Sequence, residues 1–257
     1  MENIDLNLDK ITAEFLRIKN LGFIENKRPN NRDGGIGNTF EDLLGVKENN
    51  KTDPDFEGFE IKSKRNLNGS YLSLFCKSPS FPKGANKYLK DTFGEIRQEG
   101  VSKEKILYAS VFGHRESQIY NKYLMNLKVD KENFCLRLII KDLNRNTLSE
   151  NVFWSNEDLD RASKKINKLF VVYATEQKEN GLIKFHYTEA EVFIGFNLQS
   201  FMNFIETGNI MFDLRMGEYK SGRNKGKPHD HGSGFRIKKE NLSGLFDSVL
   251  IMQREAN

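Results

Sequence analysis

The most informative stretch of the chain, residues 53–62, is Asp53-Pro54-Asp55-Phe56-Glu57-Gly58-Phe59-Glu60-Ile61-Lys62. Apolar and charged residues alternate along its second half, and this period of two predicts a β-strand over 59–64. Because successive side chains of a strand point to opposite faces, Phe59 and Ile61 are expected to enter the core. Glu60 and Lys62 then share the other face. Asp55 lies just upstream, where a turn of the chain can bring it beside Glu60.

Two carboxylates and a lysine at one strand end are groups that metal-dependent phosphodiester hydrolysis requires. Asp55 and Glu60 can hold a hard divalent cation such as Mg²⁺ through oxygen ligands. Lys62 can activate the attacking water or stabilise the charge that develops on the phosphate. This is the order of the PD-(D/E)XK nuclease motif. The short pattern taken alone also fits a half-buried strand with a solvated Glu/Lys face.

A short helix is predicted directly before this strand, with Asn38 or Thr39 as its N-cap and Gly45 at its end. Glu41 lies beside the apolar positions of this helix, so its side chain can face the strand ends. It could complete the acidic site, directly or through water. The alternative is an ordinary exposed glutamate that the helix dipole favours in the first turn.

Helical and strand-like patterns alternate along the rest of the chain, without an internal repeat. Helical spacing predicts helices over 8–18, 156–169 and 198–205. Period-two or continuous apolar runs predict strands over 71–77, 106–112, 134–140, 152–154, 170–173, 183–194 and 210–216. This mixture predicts an α/β or mixed α+β fold in one compact body with two lobes.

The composition excludes several classes of protein. The 257 residues include 20 Phe and 8 Tyr, which are too many aromatic residues for a disordered chain. Cys76 and Cys135 are the only cysteines, so a disulfide framework or a cysteine-rich zinc site is not expected. No apolar run approaches the roughly 18 residues of a membrane span. The start of the chain lacks the order of a signal peptide, and a cytoplasmic protein is expected.

The positive charge is concentrated in one segment, residues 215–239, which we call the basic segment. It contains eight basic and two acidic residues, whereas the whole chain has a net charge of +4. A local cationic segment on a nearly neutral body fits a surface that meets phosphates. A solvated loop rich in Lys, Gly, Asn and Ser would have the same composition.

Side chains in and beside the basic segment can recognise bases. Arg215 and Arg236 can each pair bidentately with guanine in the major groove, and Asp213 can accept a hydrogen bond from cytosine N4. Three further side chains can donate to guanine or to phosphate: Tyr219, His229 and His231. The His-Asp-His order would also fit a zinc site, although no third ligand is nearby, or simple loop polarity.

Two blocks of the sequence resemble the MvaI/BcnI family of type II restriction endonucleases, which are related in fold to the mismatch-repair nickase MutH. The first block is Asp33-Gly34-Gly35-Ile36-Gly37-Asn38-Thr39-Phe40-Glu41-Asp42-Leu43-Leu44-Gly45, followed by Pro54-Asp55-Phe56 and Glu60-Ile61-Lys62. The second is Phe212-Asp213-Leu214-Arg215-Met216, followed by His229-Asp230-His231-Gly232-Ser233-Gly234-Phe235-Arg236. The blocks are more similar to the MvaI branch than to the BcnI branch.

The resemblance implies a PD-(D/E)XK core and a second, recognition lobe around a DNA cleft. The catalytic lobe is expected over 1–110 and the DNA-recognition lobe over 111–257, with a soft boundary that allows the lobes to interleave. Four residues then form the catalytic site: Asp55 and Glu60 as Mg²⁺ ligands, Lys62 on the attacking water, and Glu41 completing the acidic set. Lys77, at the end of the next strand, is expected to contact the same phosphate.

The resemblance also implies the reaction and its partners. Hydrolysis of double-stranded DNA would leave a 5′-phosphate at a CC-N-GG type site, with CCWGG favoured. The enzyme is expected to be a monomer that cuts the strands one at a time, linked functionally to a cognate DNA methyltransferase without requiring a protein partner. Two alternatives remain: a MutH-like nicking endonuclease recruited by a mismatch-repair partner, and a sequence-specific DNA-binding module without catalysis.

Overall fold

The computed structural model describes residues 2–28, 34–46, 54–66, 71–99 and 102–252. Its helices are α1 (Glu2–Lys19), α2 (Gly35–Leu44), α3 (Ala85–Phe93), α4 (Asn156–Ser163) and α5 (Leu198–Glu206), with 3₁₀ helices at Lys164–Ile166 and Lys239–Leu245. Asp33 and Asp53, which belong to the two sequence patterns above, lie outside the described residues.

The strands form the larger part of the regular secondary structure in the described residues. In chain order they are β1 (Ile24–Glu25), β2 (Glu60–Arg65), β3 (Tyr71–Phe75), β4 (Glu95–Glu99), β5 (Ser102–Phe112), β6 (Ser117–Ile119), β7 (Tyr123–Asp130), β8 (Cys135–Asp142), β9 (Thr147–Ser155), β10 (Lys168–Glu179), β11 (Leu182–Phe196), β12 (Ile210–Glu218), β13 (Pro228–Asp230), β14 (Gly234–Lys238) and β15 (Phe246–Met252). The mixture of helices and sheets agrees with the predicted mixed α+β class.

The chain divides into two compact units, each built from separate segments. The first unit is Met1–Ser70, Lys164–Phe196 and Phe246–Asn257, and the second is Tyr71–Ser163 and Asn197–Leu245. The units do not divide at residue 110, because β2 pairs with β10 and so draws a distant segment into its own sheet. The assignment of catalysis and recognition to separate lobes stays a prediction at this point.

The first unit is a sheet with helices packed on it. The sheet order is β1-β11-β10-β2, and β15 also pairs with β11. Strand β2 runs parallel to β10, while the other pairs in this sheet are antiparallel. The core is formed by Phe59, just before β2, and by buried residues of α1, α2, β2, β10 and β11, among them Ile11, Phe15, Ile18, Phe40, Ile61, Phe170 and Val172. The helical spacing of the α1 residues and the alternation of the β2 residues therefore mark the buried faces.

Helix α2 begins earlier than its sequence pattern predicts. Asn38 and Thr39 lie inside the helix, so their assignment as its N-cap is wrong. Thr39 is buried, and its hydroxyl accepts a hydrogen bond from the backbone of Lys27 at 3.0 Å. At Gly35 an added Cβ would lie 2.6 Å from side-chain atoms of Asn26, so a larger residue would force Asn26 to move. The predicted end is confirmed, since Gly45 has a φ of 74° in the left-handed region.

The second unit contains two sheets. One has the order β3-β14-β12-β5-β4, with β13 also paired to β12, and the other has the order β6-β7-β8-β9. Aromatic rings fill its core: the Trp154 centroid lies 4.6 Å from that of Phe212, and Phe212 lies 4.8 Å from Phe235. The indole N–H of Trp154 donates to the backbone oxygen of Lys77 at 2.8 Å, which satisfies its buried polar atom.

The helix predicted over 156–169 is shorter than its pattern. Helix α4 ends at Ser163, one 3₁₀ turn follows, and β10 begins at Lys168. Leu169 and Phe170 are fully buried within the sheet of the first unit, and this tertiary packing outweighs the local helical preference. The turn at Lys164–Ile166 therefore lies at the start of β10. None of the helices in the described parts of the chain combines the length and apolar character needed to cross a membrane.

Candidate active site and nucleic-acid interface

The acidic site lies in a tight turn and at the start of β2. The backbones of Phe56 and Phe59 bond to each other at 3.1 and 2.8 Å, and Gly58 between them has a φ of 81°. This turn brings Asp55 back beside the strand, where its Oδ2 accepts a hydrogen bond from the Ile61 N–H at 2.9 Å. The turn that the sequence allows is therefore formed, and it fixes the orientation of the Asp55 carboxylate.

Glu60 is the buried member of the site, with 3% of its surface exposed. Lys62 on the same strand face pairs with its Oε1, and the ammonium of Lys165 lies 2.8 Å from its Oε2. The same ammonium lies 3.7 Å from Oδ1 of Asp55. A buried carboxylate is costly unless it is paired, and the two lysines supply that pairing. A solvated Glu/Lys face, the alternative left open by the sequence, does not describe Glu60.

Lys165 is held in its charged form by these contacts. Burial acts to lower the pKa of its ammonium, but the hydrogen bond to Glu60 and the charges of Glu60 and Asp55 outweigh burial and raise the pKa. No sequence pattern predicts a role for Lys165, because it lies far along the chain from the motif. Lys164 and Lys168 are also basic, so the local sequence does not distinguish Lys165 from its neighbours.

Glu41 lies on α2 in a half-buried position. Burial raises the pKa of the Tyr187 phenol, and the charge of Glu41 raises it further. The Tyr187 hydroxyl donates to the Ile36 backbone oxygen at 2.7 Å, which ties β11 to this helix. Within the described ranges, no three His, Cys, Asp or Glu side chains form a group that could hold a metal ion. The part of Glu41 in the acidic site stays a prediction.

Lys77 belongs to the second unit and has a partner there. Its ammonium lies 3.0 Å from Oδ1 of Asp158, whose Oδ2 accepts a hydrogen bond from the Ser80 hydroxyl at 2.6 Å. Hydrogen bonds from Ser80 and Lys77 lower the pKa of Asp158, against the opposing effect of burial. A contact between Lys77 and a phosphate, which the sequence predicts, would require Lys77 to exchange this partner.

The predicted base-reading residues of the second unit are organised by Asp213. This residue is 7% exposed, and its Oδ2 lies 2.6 Å from Nε of Arg215 and 3.0 Å from Nε of Arg236. The hydroxyl of Ser110 donates to its Oδ1 at 3.2 Å. Burial lowers the pKa of Arg236 while the charge of Asp213 opposes that effect, and a guanidinium remains charged in either case. Asp213 therefore holds both arginines in place.

The two histidines of the basic segment lie at the base of its hairpin. The ring of His229 stacks on Tyr219 with centroids 4.0 Å apart and meets the edge of His231 at 4.4 Å. The Tyr219 N–H donates to the Lys227 backbone oxygen at 3.0 Å and closes the hairpin. Burial and the neighbouring His229 lower the pKa of His231, against the opposing charges of Glu104 and Asp230.

An open cavity of about 580 Å³ lies over these residues, and Asp213, Arg215 and His231 line it. Tyr108 and Ser110 of β5 also line it, because β5 pairs with β12 so that Tyr108 lies opposite Arg215 and Ser110 opposite Asp213. Tyr108 and Ser110 were not among the residues predicted from the sequence. The sequence signal was the alternation of Tyr108 and Ser110 with apolar Leu107, Ala109 and Val111, which places the two residues on one face of a strand.

Comparisons with known proteins assign the chain to one family. The sequence model of the MvaI/BcnI restriction endonuclease family matches residues 12–246. The chain belongs to the MvaI/BcnI restriction endonuclease family. It is therefore a type II restriction endonuclease, a site-specific deoxyribonuclease. The resemblance of the two sequence blocks is confirmed, and the alternative of a binding module without catalysis is wrong.

Two solved structures are similar to this MvaI/BcnI family member. The complex of restriction endonuclease MvaI with its cognate DNA substrate is 34% identical, covers 95% of this chain and 97% of that chain, and has a TM-score of 0.86. MvaI in the absence of DNA is 33% identical with the same coverage and has a TM-score of 0.60. A comparison with curated proteins finds no match. The predicted fold class is confirmed by these likenesses.

Proposed function

We propose that this enzyme hydrolyses double-stranded DNA with Mg²⁺ held by Asp55 and Glu60. The observation that carries the proposal is that both carboxylates converge on one cation, the ammonium of Lys165, at 3.7 and 2.8 Å. Oxygen atoms that already surround a positive charge suit a hard divalent cation. Proteins commonly bind Mg²⁺ through one or two carboxylates together with substrate phosphate and water, so two acids are a sufficient protein contribution.

The residues of the site divide the chemistry between them. The bound cation supplies charge stabilisation at the scissile phosphate and lowers the pKa of water. Lys62, anchored on Oε1 of Glu60, orients the attacking water, and the Ile61 N–H keeps the Asp55 carboxylate in register with β2. Attack in line breaks the bond from phosphorus to the 3′ oxygen, which takes up a proton, and leaves the phosphate on the 5′ end. Glu41 completes the acidic set from α2.

We propose that the second unit recognises a CC-N-GG type site, with CCWGG favoured. Arg215 and Arg236, oriented by Asp213, pair with guanines, and Asp213 can also accept from cytosine N4. Three further donors complete the reading surface and its phosphate contacts: Tyr219, His229 and His231. The cavity lined by Asp213, Arg215 and His231 supports this assignment, as does the cognate DNA substrate in the related MvaI complex. Lys77 would contact a phosphate of the bound DNA.

We propose further that the first unit performs catalysis and the second recognition, and that the enzyme acts as a monomer. One Asp55/Glu60/Lys62 set and one basic segment occur in the chain. A monomer of this kind meets the two strands of a near-palindrome in two orientations and cuts them in separate events. A cognate DNA methyltransferase protecting the same site would be a functional partner, and both enzymes would act in the cytoplasm.

The decisive experiment is a plasmid digest with Mg²⁺, followed by sequencing of the product ends. Ends at CCWGG with 5′-phosphates are expected, and cleavage unaided by other proteins separates this enzyme from a recruited MutH-like nickase. Ends scattered over unrelated sequences would contradict the proposed specificity. Cleavage that persists undiminished in EDTA would contradict the proposed metal site.

A further inference from the structure

Lys165 lies inside the acidic site, and neither the motif nor the family match assigns it a role. It belongs to the 3₁₀ turn Lys164–Ile166, and the fully buried Ile166 anchors this turn in the core. Its ammonium approaches Oε2 of Glu60 and Oδ1 of Asp55, while Lys62 pairs with the other oxygen of Glu60. Lys165 therefore bridges the two acids, and it does so from the 3₁₀ turn that precedes β10.

An ammonium between two carboxylates has the electrostatic role of a bound cation. Asp55 and Glu60 carry like charges, and Glu60 is almost wholly removed from water, so their repulsion is weakly screened. Lys165 offsets that repulsion and keeps both carboxylates turned toward one point. The side chain of Lys165 is itself 31% exposed, and its flexible four-carbon stem allows the ammonium to move outward.

We propose that Lys165 is a positioning residue that holds Asp55 and Glu60 together and competes with the divalent cation for their oxygens. The inference rests on the proposed metal site. The Lys165 ammonium approaches Glu60 Oε2 and Asp55 Oδ1, oxygens of the two acids that would hold the cation, so cation binding would require Lys165 to withdraw. The lysine thus preassembles the acids and also lowers their affinity for metal in the enzyme without DNA.

The test is Ca²⁺ and Mg²⁺ binding to the DNA-free enzyme, measured by isothermal titration calorimetry. Lys165→Met is expected to bind either cation about tenfold more tightly, the lower end of the effect that a unit charge within a few ångströms exerts on a carboxylate. Lys165→Arg keeps the charge and is expected to stay near wild type. Without cation, Lys165→Met is expected to melt at a lower temperature, and Ca²⁺ should raise its melting temperature more than it raises that of wild type.

Lys168→Met is the matched control, since the Lys168 ammonium lies 5.8 Å from the Phe59 ring centroid and its loss should leave cation affinity unchanged. Glu60→Gln tests the proposed metal site separately from the role of Lys165. If it leaves cation affinity unchanged, the proposed metal site is wrong. If Glu60→Gln abolishes binding while Lys165→Met binds no more tightly than wild type, the metal site stands and the role of Lys165 is overturned. Lys165→Gln provides the same test if the methionine variant does not fold.

Discussion

The carboxylate of Asp213 holds the guanidinium of Arg215, whose Nε donates to Oδ2 at 2.6 Å. The two residues are two positions apart on β12, so their side chains leave the strand on the same face. Arg236 approaches the same oxygen from β14, the neighbouring strand. One buried acid therefore sets the direction of two guanidinium groups.

Asp213→Asn is expected to reduce base discrimination by about 1–3 kcal/mol for each arginine that loses its orientation, because an amide cannot neutralise two guanidinium groups. The measurement is a set of dissociation constants for CCWGG duplexes and single-base variants at one salt concentration. Asp142→Asn, a change at the end of β8, is the control. Unchanged discrimination in the Asp213 variant would show that the arginines are oriented by other groups.

Arg215→Ala and Lys225→Ala are expected to change DNA binding in different ways. Loss of Arg215 should cost about 1–3 kcal/mol at one base position, because a bidentate contact to guanine is removed. Loss of exposed Lys225 should weaken binding to all duplexes and reduce the dependence of affinity on salt, because a phosphate contact is removed. Titrations at several salt concentrations distinguish the two. A change of base preference in the Lys225 variant alone would reverse the assignment.

Glu60→Gln is expected to lower cleavage below about a hundredth of wild type, since the metal site is lost while the reading residues of the second unit remain. Specific DNA binding should persist, and chelation of divalent cations should have the same effect on the wild-type enzyme. Single-turnover cleavage together with a binding titration gives both quantities. Full activity in the variant would remove Glu60 from the catalytic site.

Plasmid with a single site should pass through a nicked circle before it becomes linear, because a monomer with one catalytic set cuts one strand per event. Gel analysis of the time course, at enzyme concentrations below and above that of the plasmid, measures both steps. The linear product should form at a rate that is first order in bound enzyme. Direct conversion to linear DNA by a dimeric complex would contradict the proposed monomer.

Lys77→Met is expected to destabilise the second unit by up to about 1 kcal/mol, the range for a partly exposed ion pair. The pKa of Asp158 is lowered in the folded protein, so the pairing stabilises above the unfolded carboxyl value near 3.8 and is lost as pH falls through the folded value. The difference in unfolding free energy between wild type and variant should therefore vanish in acid.

A reduced salt dependence of DNA binding in the same variant would support the phosphate contact of Lys77, and unaltered binding would leave Lys77 a structural residue.

The local sequence determined the parts of this protein that depend on near neighbours. The alternation over 59–64 placed Phe59 and Ile61 in the core, and the turn before it brought Asp55 to β2 through a bond to Ile61. Gly45 marked the end of α2. These features follow from strand periodicity and from glycine's access to the left-handed region, which act over a few residues.

Tertiary structure decided the features that join distant segments. Lys165 reaches Glu60 because β10 pairs in parallel with β2, and Tyr108 lies opposite Arg215 because β5 pairs with β12. Packing also ended the predicted helix at Ser163 and buried Glu60 between two lysines. Strand partners and their register depend on how apolar faces are buried together across the whole unit, and this is information that no single stretch of sequence contains.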